Sequence, residues 1–151
     1  MKAVLCLGAN LGDRGHAIEC ALDSINRLPA TRLLRRSPVL ETEPEGVPDQ
    51  QPNYLNCVCE VETELCPEAL LGACFGLEAA AGRIRRGFRS ARTLDIDVLL
   101  YEGVTSDSPF LTLPHPRMLE RKFVLVPLSR LYPDGRALDV DFSEALKKVL
   151  G

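Results

Sequence analysis

Two aspartates, Asp95 and Asp97, stand two residues apart in the segment SARTLDIDVLLY, residues 90–101, whose later positions are otherwise apolar. In a strand both carboxylates face one side, while Leu94, Ile96 and Val98 face the other. Their Cα atoms then lie about 6.5–7 Å apart, and the two charges repel by about 2 kcal/mol at an effective dielectric near 20. A cation between them removes that repulsion. An arginine salt bridge is one solution. Mg²⁺ is the other, a hard ion suited to carboxylate, phosphate and water oxygens.

The residues just before the pair bear on that choice. Arg83, Arg85, Arg86, Arg89 and Arg92 fall within ten positions of a chain whose net charge is −3. Five arginines exceed what two aspartates need. Together with metal-binding carboxylates they suit a polyphosphate, whose transferring group guanidinium and metal charges stabilise. A solvated charged face or an RNA-binding patch are the competing readings of the arginine run. The adjacent acidic strand and the lone interleaved aromatic, Phe88, weigh against RNA. A second D-x-D, Asp139 and Asp141 in LDVDF, has no arginine cluster before it and follows a Pro-Asp-Gly turn. It reads as surface or capping acid.

These groups must be positioned by a small set of elements. Residues 2–8 read as a strand, and Gly8-Ala9-Asn10-Leu11-Gly12 as a turn. Asp13 is placed to cap a helix whose apolar positions Ala17, Ile18, Ala21, Leu22, Ile25 and Leu28 recur at helical spacing. Residues 31–43 form a long second strand with Pro38 inside it, and 44–53 are a proline-rich loop. In 54–63, Leu55, Cys57, Cys59 and Val61 alternate with Tyr54, Asn56 and Val58. Pro67 opens a second helix with a stripe of Leu70, Ala73, Cys74, Leu77 and Ala81. The strand 93–101 follows, then a loop over 102–114, helical turns, and a closing helix near 143–150. The order β-α-β-β-α-β predicts an α+β, ferredoxin-like α/β sandwich with a C-terminal helical extension, one domain over residues 1–151.

Composition narrows the class. No apolar stretch is long enough to span a bilayer, and the acidic balance does not recruit nucleic acid or an anionic membrane. The six cysteines form no C-x-x-C pair and most lie in apolar runs, which predicts reduced, buried thiols in a cytoplasmic protein.

The motifs LGANLGDR, ETEPEG, PNYLNCV, FRSARTLDIDVLLY and LPHPRMLERKFVLVPL, in this order and spacing, resemble the 6-hydroxymethyl-7,8-dihydropterin pyrophosphokinase family of folate biosynthesis over nearly the whole chain. That resemblance implies Mg²⁺-dependent transfer of diphosphate from ATP to the pterin hydroxymethyl group, with release of AMP. It implies that Asp95 and Asp97 hold two Mg²⁺ ions and that Arg83 and Arg92 contact the phosphates. Glu78, Arg85, Val98, Thr112, His115 and Arg121 match positions around ATP. Tyr54 and Phe123 match the aromatic pair around the pterin ring, with Asn56, Thr42 and Gly46 at its polar edge. A flat polar heterocycle suits aromatic faces and amide partners. The chain departs from the family at Ser90, where glycine is usual, and at Phe75, where a glutamine often contacts adenine. Its partners are expected to be ATP and the pterin, without nucleic acid or membrane, and the protein is expected to be a monomer. A catalytically silent relative acting as a regulator is a further alternative, which the same turnover assay exposes.

Overall fold

The computed structural model describes residues 1–10, 12–42, 53–82 and 94–151. Its elements are β1 (Lys2–Ala9), α1 (Arg14–Asn26), β2 (Thr31–Arg36), β3 (Leu40–Thr42), β4 (Tyr54–Thr63), α2 (Pro67–Ala80), β5 (Asp95–Tyr101), β6 (Ser106–Ser108), β7 (Leu111–Leu113), α3 (Lys122–Leu131), β8 (Arg136–Ala137), β9 (Val140–Asp141) and α4 (Ser143–Leu150). The main sheet runs β2-β4-β1-β5, with β3 also on β4, and every pairing in it is antiparallel.

The alternation in β1 and β4 sorts side chains onto two cores. Ala3, Leu5, Leu7, Cys57, Cys59 and Val61 pack with α1 and α2. Val4, Cys6 and Val58 pack on the other face with Val124, Leu125 and Leu128 of α3. α1 begins where Asp13 Oδ1 accepts the His16 amide at 3.1 Å, and it buries Ile18, Ala21, Leu22 and Ile25. α2 has proline in its first turn and buries Leu70, Cys74 and Glu78. Fully burying one such aliphatic side chain contributes roughly 1.5–3 kcal/mol.

Three expectations need revision. The expected strand 31–43 is two strands, because Pro38 has no amide to donate. At the break, Ser37 N donates to Val58 O at 2.8 Å, and the Ser37 hydroxyl accepts the Val58 amide at 2.9 Å. The loop 102–114 contains the β6–β7 hairpin. β1 continues through Ala9, so Gly8 lies in the sheet, not in a turn. The cysteines are all free, but Cys20 and Cys66 are exposed while the other four are buried.

The apolar stripe of α2 ends in a carboxylate. Glu78 is 2% exposed, and its Oε2 accepts the Ile96 amide at 2.8 Å, on the edge of β5 that β1 does not cover. Glu78→Ala is expected to lower stability by about 1–3 kcal/mol, the cost of stranding a buried amide. Thermal unfolding measures it, and an unchanged midpoint would show that water replaces the carboxylate.

Candidate active site

Asp95 and Asp97 lie on the sheet face that carries α3, half-buried, while Leu94, Ile96 and Val98 are buried toward α1 and α2. The amphipathic strand read from the sequence is therefore present. β1 runs beside it: Gly8 pairs with Asp95 and Cys6 with Asp97. On its other side Gly8 pairs with Asn56 and Cys6 with Val58. Asn56, Gly8 and Asp95 thus form one row across three strands. Two strand spacings, about 10 Å, separate the amide from the carboxylate.

Cys6 lies in the next row on the same face, between Val58 and Asp97. Burial, with Asp97 and Asp95 adding to it, pushes its thiol well above the ordinary value and keeps it protonated. The start of α3 closes the row on the carboxylate side. Arg121 Nη1 is 3.9 Å from Asp97 Oδ2, and the same guanidinium stands 5.4 Å from the Phe123 ring centroid, within cation–π range. Phe123 is half-buried against the α3 core.

His115 is fixed by its neighbours. Its amide donates to Leu99 O at 2.8 Å, and its Nδ1 accepts the Arg117 amide at 3.2 Å. The preceding Leu113–Pro114 peptide is cis. Burial, then the Arg121 guanidinium, push the imidazole below its ordinary value, while Asp95 pulls less strongly the other way. His115 is therefore expected to be neutral at pH 7 and to titrate below about 6.5. An NMR titration in which Arg121→Gln leaves the midpoint unmoved would remove Arg121 as a cause.

On the β4 side, Asn56 is 2% exposed and its Nδ2 donates to Thr42 Oγ1 at 2.6 Å. Tyr54, two residues back, is half-buried beside it. Thr112 is half-buried on β7, which packs on β5, and its hydroxyl donates to Ser108 O at 2.9 Å. The Val98 side chain is committed to the core, so only its backbone can meet a ligand. Phe75 is 46% exposed on α2. Arg83, Arg85, Arg92 and Gly46 lie outside the described residues, as do Phe88 and Ser90.

The structure therefore brings Asp95, Asp97, His115, Arg121 and Phe123 to one end of one sheet face, with Tyr54, Asn56 and Thr42 beside them. Sequence reasoning missed Gly8, although a glycine within a strand pattern marks close approach of another group. Among the described residues no three His, Cys, Asp or Glu come together as a metal cage. Two carboxylates on one face of a strand suit Mg²⁺, which takes one or two carboxylates plus phosphate and water. Asp139 and Asp141, by contrast, are surface acids: Asp141 Oδ1 accepts the Ser143 amide at 2.9 Å at the start of α4.

A family profile described as 7,8-dihydro-6-hydroxymethylpterin-pyrophosphokinase (HPPK) matches residues 4–133. A Methylorubrum extorquens protein named 2-amino-4-hydroxy-6-hydroxymethyldihydropteridine pyrophosphokinase is 41% identical over 148 residues, covering 98% of this chain and 93% of its own length. The Schizosaccharomyces pombe folic acid synthesis protein is 42% identical over 132 residues, but this chain spans 18% of its length. Among solved structures, an HPPK-DHPS in complex with substrates superposes with a TM-score of 0.70 at 12% identity, over 98% of this chain and 43% of that one. A Plasmodium falciparum HPPK-DHPS gives 0.65 at 14% identity, again over 43% of its length. Those two likenesses concern the fold. The family match and the 41% identity over nearly all of both chains settle membership: the chain belongs to the 7,8-dihydro-6-hydroxymethylpterin-pyrophosphokinase family.

Proposed function

We propose that this protein transfers the terminal diphosphate of ATP to the hydroxymethyl group of 6-hydroxymethyl-7,8-dihydropterin, releasing AMP, as a step of folate biosynthesis. The observation that carries this reading is the row Asn56–Gly8–Asp95, which sets a heterocycle partner and a metal carboxylate at opposite ends of one short span. The pterin ring lies between Tyr54 and Phe123, with Asn56, Thr42 and Gly46 on its polar edge. Its hydroxymethyl group then points along the row toward Asp95.

Asp95 and Asp97 would hold two Mg²⁺ ions. Bound there, the metal would supply positive charge against the phosphate oxygens and the departing AMP. The substrate oxygen attacks the β-phosphorus in line, the bond from that phosphorus to the α–β bridging oxygen breaks, and the hydroxyl proton leaves to solvent. Arg83, Arg92 and Arg121 supply positive charge around the transferring group, and neutral His115 donates a hydrogen bond to a phosphate oxygen. Arg85, Thr112 and the Val98 backbone border the nucleotide, and Glu78 holds the β5 edge beside it. Catalysis is then mainly positioning and preorganised charge.

The antiparallel order β5-β1-β4-β2, with α1 and α2 as the crossovers, supports a ferredoxin-like βαββαβ core extended by α3 and α4, one pyrophosphokinase domain over residues 1–151. Free cysteines suit a reducing cytoplasm. One assay tests the reading. Protein, ATP and Mg²⁺ are expected to yield AMP only when the hydroxymethyl-dihydropterin is added. AMP without the pterin, or none with it, refutes the assignment.

A further inference from the structure

We infer that Gly8 determines pterin recognition, because its missing side chain leaves the space in which the Asn56 amide is seated; this rests on the pterin reading of Asn56 and Tyr54. Gly8 is the central member of the row, flanked by Asn56 on β4 and Asp95 on β5. A Cβ at Gly8 would stand 3.0 Å from Asn56 Oδ1, 3.5 Å from Tyr54 Cδ1 and 3.8 Å from Leu55 O. The first distance is tighter than nine in ten Cβ contacts, and the tight neighbour is the very group that would read the pterin.

Asn56 has little room to give way. It is 2% exposed, and its Nδ2 is tied to Thr42 Oγ1 at 2.6 Å. Among the described residues nothing donates to its Oδ1. A buried acceptor without a donor is costly unless a ligand supplies one. The amino-pyrimidinone edge of a pterin carries such donors. A methyl at Gly8 pushes on the amide oxygen by a few tenths of an ångström, and an amide this buried and tied to Thr42 takes up that push by shifting its acceptor away from a ligand. Gly8 is thus a positioning residue that acts through Asn56. Its backbone is not in the left-handed region, so alanine is accessible to the main chain itself.

The test measures pterin binding by its fluorescence, in the presence of Mg²⁺ and a non-hydrolysable ATP analogue, with analogue binding and thermal midpoint followed separately. Gly8→Ala is expected to weaken pterin binding by roughly 10- to 200-fold, the range for a methyl-sized change in a pocket, while analogue binding and the midpoint hold. In an Asn56→Ala background, adding Gly8→Ala is expected to cost little more, since the clash partner is gone. Unchanged pterin affinity in Gly8→Ala overturns the inference. So does a parallel fall in pterin affinity, analogue affinity and thermal midpoint, or an equal loss in both backgrounds. If Gly8→Ala does not fold, the double variant decides: a folded double variant binding pterin like Asn56→Ala supports the clash, and an unfolded one overturns it. Wild-type protein that fails to bind the pterin overturns the underlying pterin reading instead.

Discussion

Asp97→Ala is expected to reduce the rate of AMP formation by about three orders of magnitude or more while the protein stays folded. Two physical roles for Asp97 give very different magnitudes. As a partner of Arg121, at 3.9 Å with both side chains partly solvated, it contributes at most about 1 kcal/mol, less than a tenfold effect. As a ligand of Mg²⁺ it supports several kcal/mol of charge stabilisation in the transition state. Asp97→Asn separates them further, because it keeps the shape and removes the charge. Turnover in the asparagine variant within tenfold of wild type, at saturating Mg²⁺, would reduce Asp97 to an ion-pair partner. A thermal midpoint that stays put in both variants excludes unfolding as the cause of lost activity.

The second large effect concerns stability and lies away from the site. Glu60 is 4% exposed on β4. The Tyr132 hydroxyl donates a short hydrogen bond to its Oε2, and Arg35 Nη2 stands 3.2 Å from the same oxygen. Arg35 also donates to Leu131 O at 3.1 Å and lies over the Tyr132 ring at 4.8 Å. The cluster ties β2 and β4 to the end of α3. Glu60→Ala strands the buried tyrosine hydroxyl. A loss of about 3 kcal/mol is expected, at the low end for a broken buried pair because Arg35 is half-exposed. At about 2–4 °C per kcal/mol, the midpoint falls by about 6–12 °C. A shift under 2 °C would mean that the cluster is energetically neutral.

The same cluster sets a pH window. Burial raises the Glu60 carboxyl, but hydrogen bonds from Tyr132 and Arg35 outweigh it, and the net value lies below the ordinary one. A depressed acid contributes stability above its unfolded value, about 4.3, and that contribution is lost as pH falls through the folded value. Tyr132 is shifted the other way, pushed up first by burial and then by Glu60. Its contribution is present below the unfolded value, about 10, and fades as pH rises beyond it. Thermal midpoints across pH are expected to lose both flanks of this dependence in a Glu60→Gln, Tyr132→Phe double variant.

Some of this was readable from residue spacing and some was not. The face assignment of Asp95 and Asp97, the capping role of Asp13 and the two-sided pattern of β4 each follow from a local period. β6 to β9 are two or three residues long, too short for a period of two to declare itself. Glu60 looks in sequence like any surface acid after an apolar run. Its partner Tyr132 lies 72 residues away, so nothing local marks it as buried. Gly8 was misread because a glycine beside Ala9-Asn10 resembles the opening of a turn, whereas pairing on both sides keeps it in the sheet. His115, Arg121 and Phe123 carried a functional reading only through the family resemblance, since a loop histidine, an arginine and a core aromatic are individually unremarkable.

One feature of β5 organises the site at a distance. Leu5 pairs with Val98 but Val4 pairs with Leu100, so Leu99 is an extra residue with no partner on β1. The strand therefore undergoes a phase slip. Before it, odd positions carry the charges and even positions feed the α1–α2 core. After it, Leu99 and Leu100 both feed the α3 core, and Tyr101 returns to the α1–α2 side. The slipped residue also turns its carbonyl to the His115 amide. Two grammars are thus written into seven residues, one for chemistry and one for packing. Removing Leu99 would restore a regular ladder in which Leu100 and Tyr101 keep their faces, but the carbonyl that sets His115 beside Asp95 would be lost.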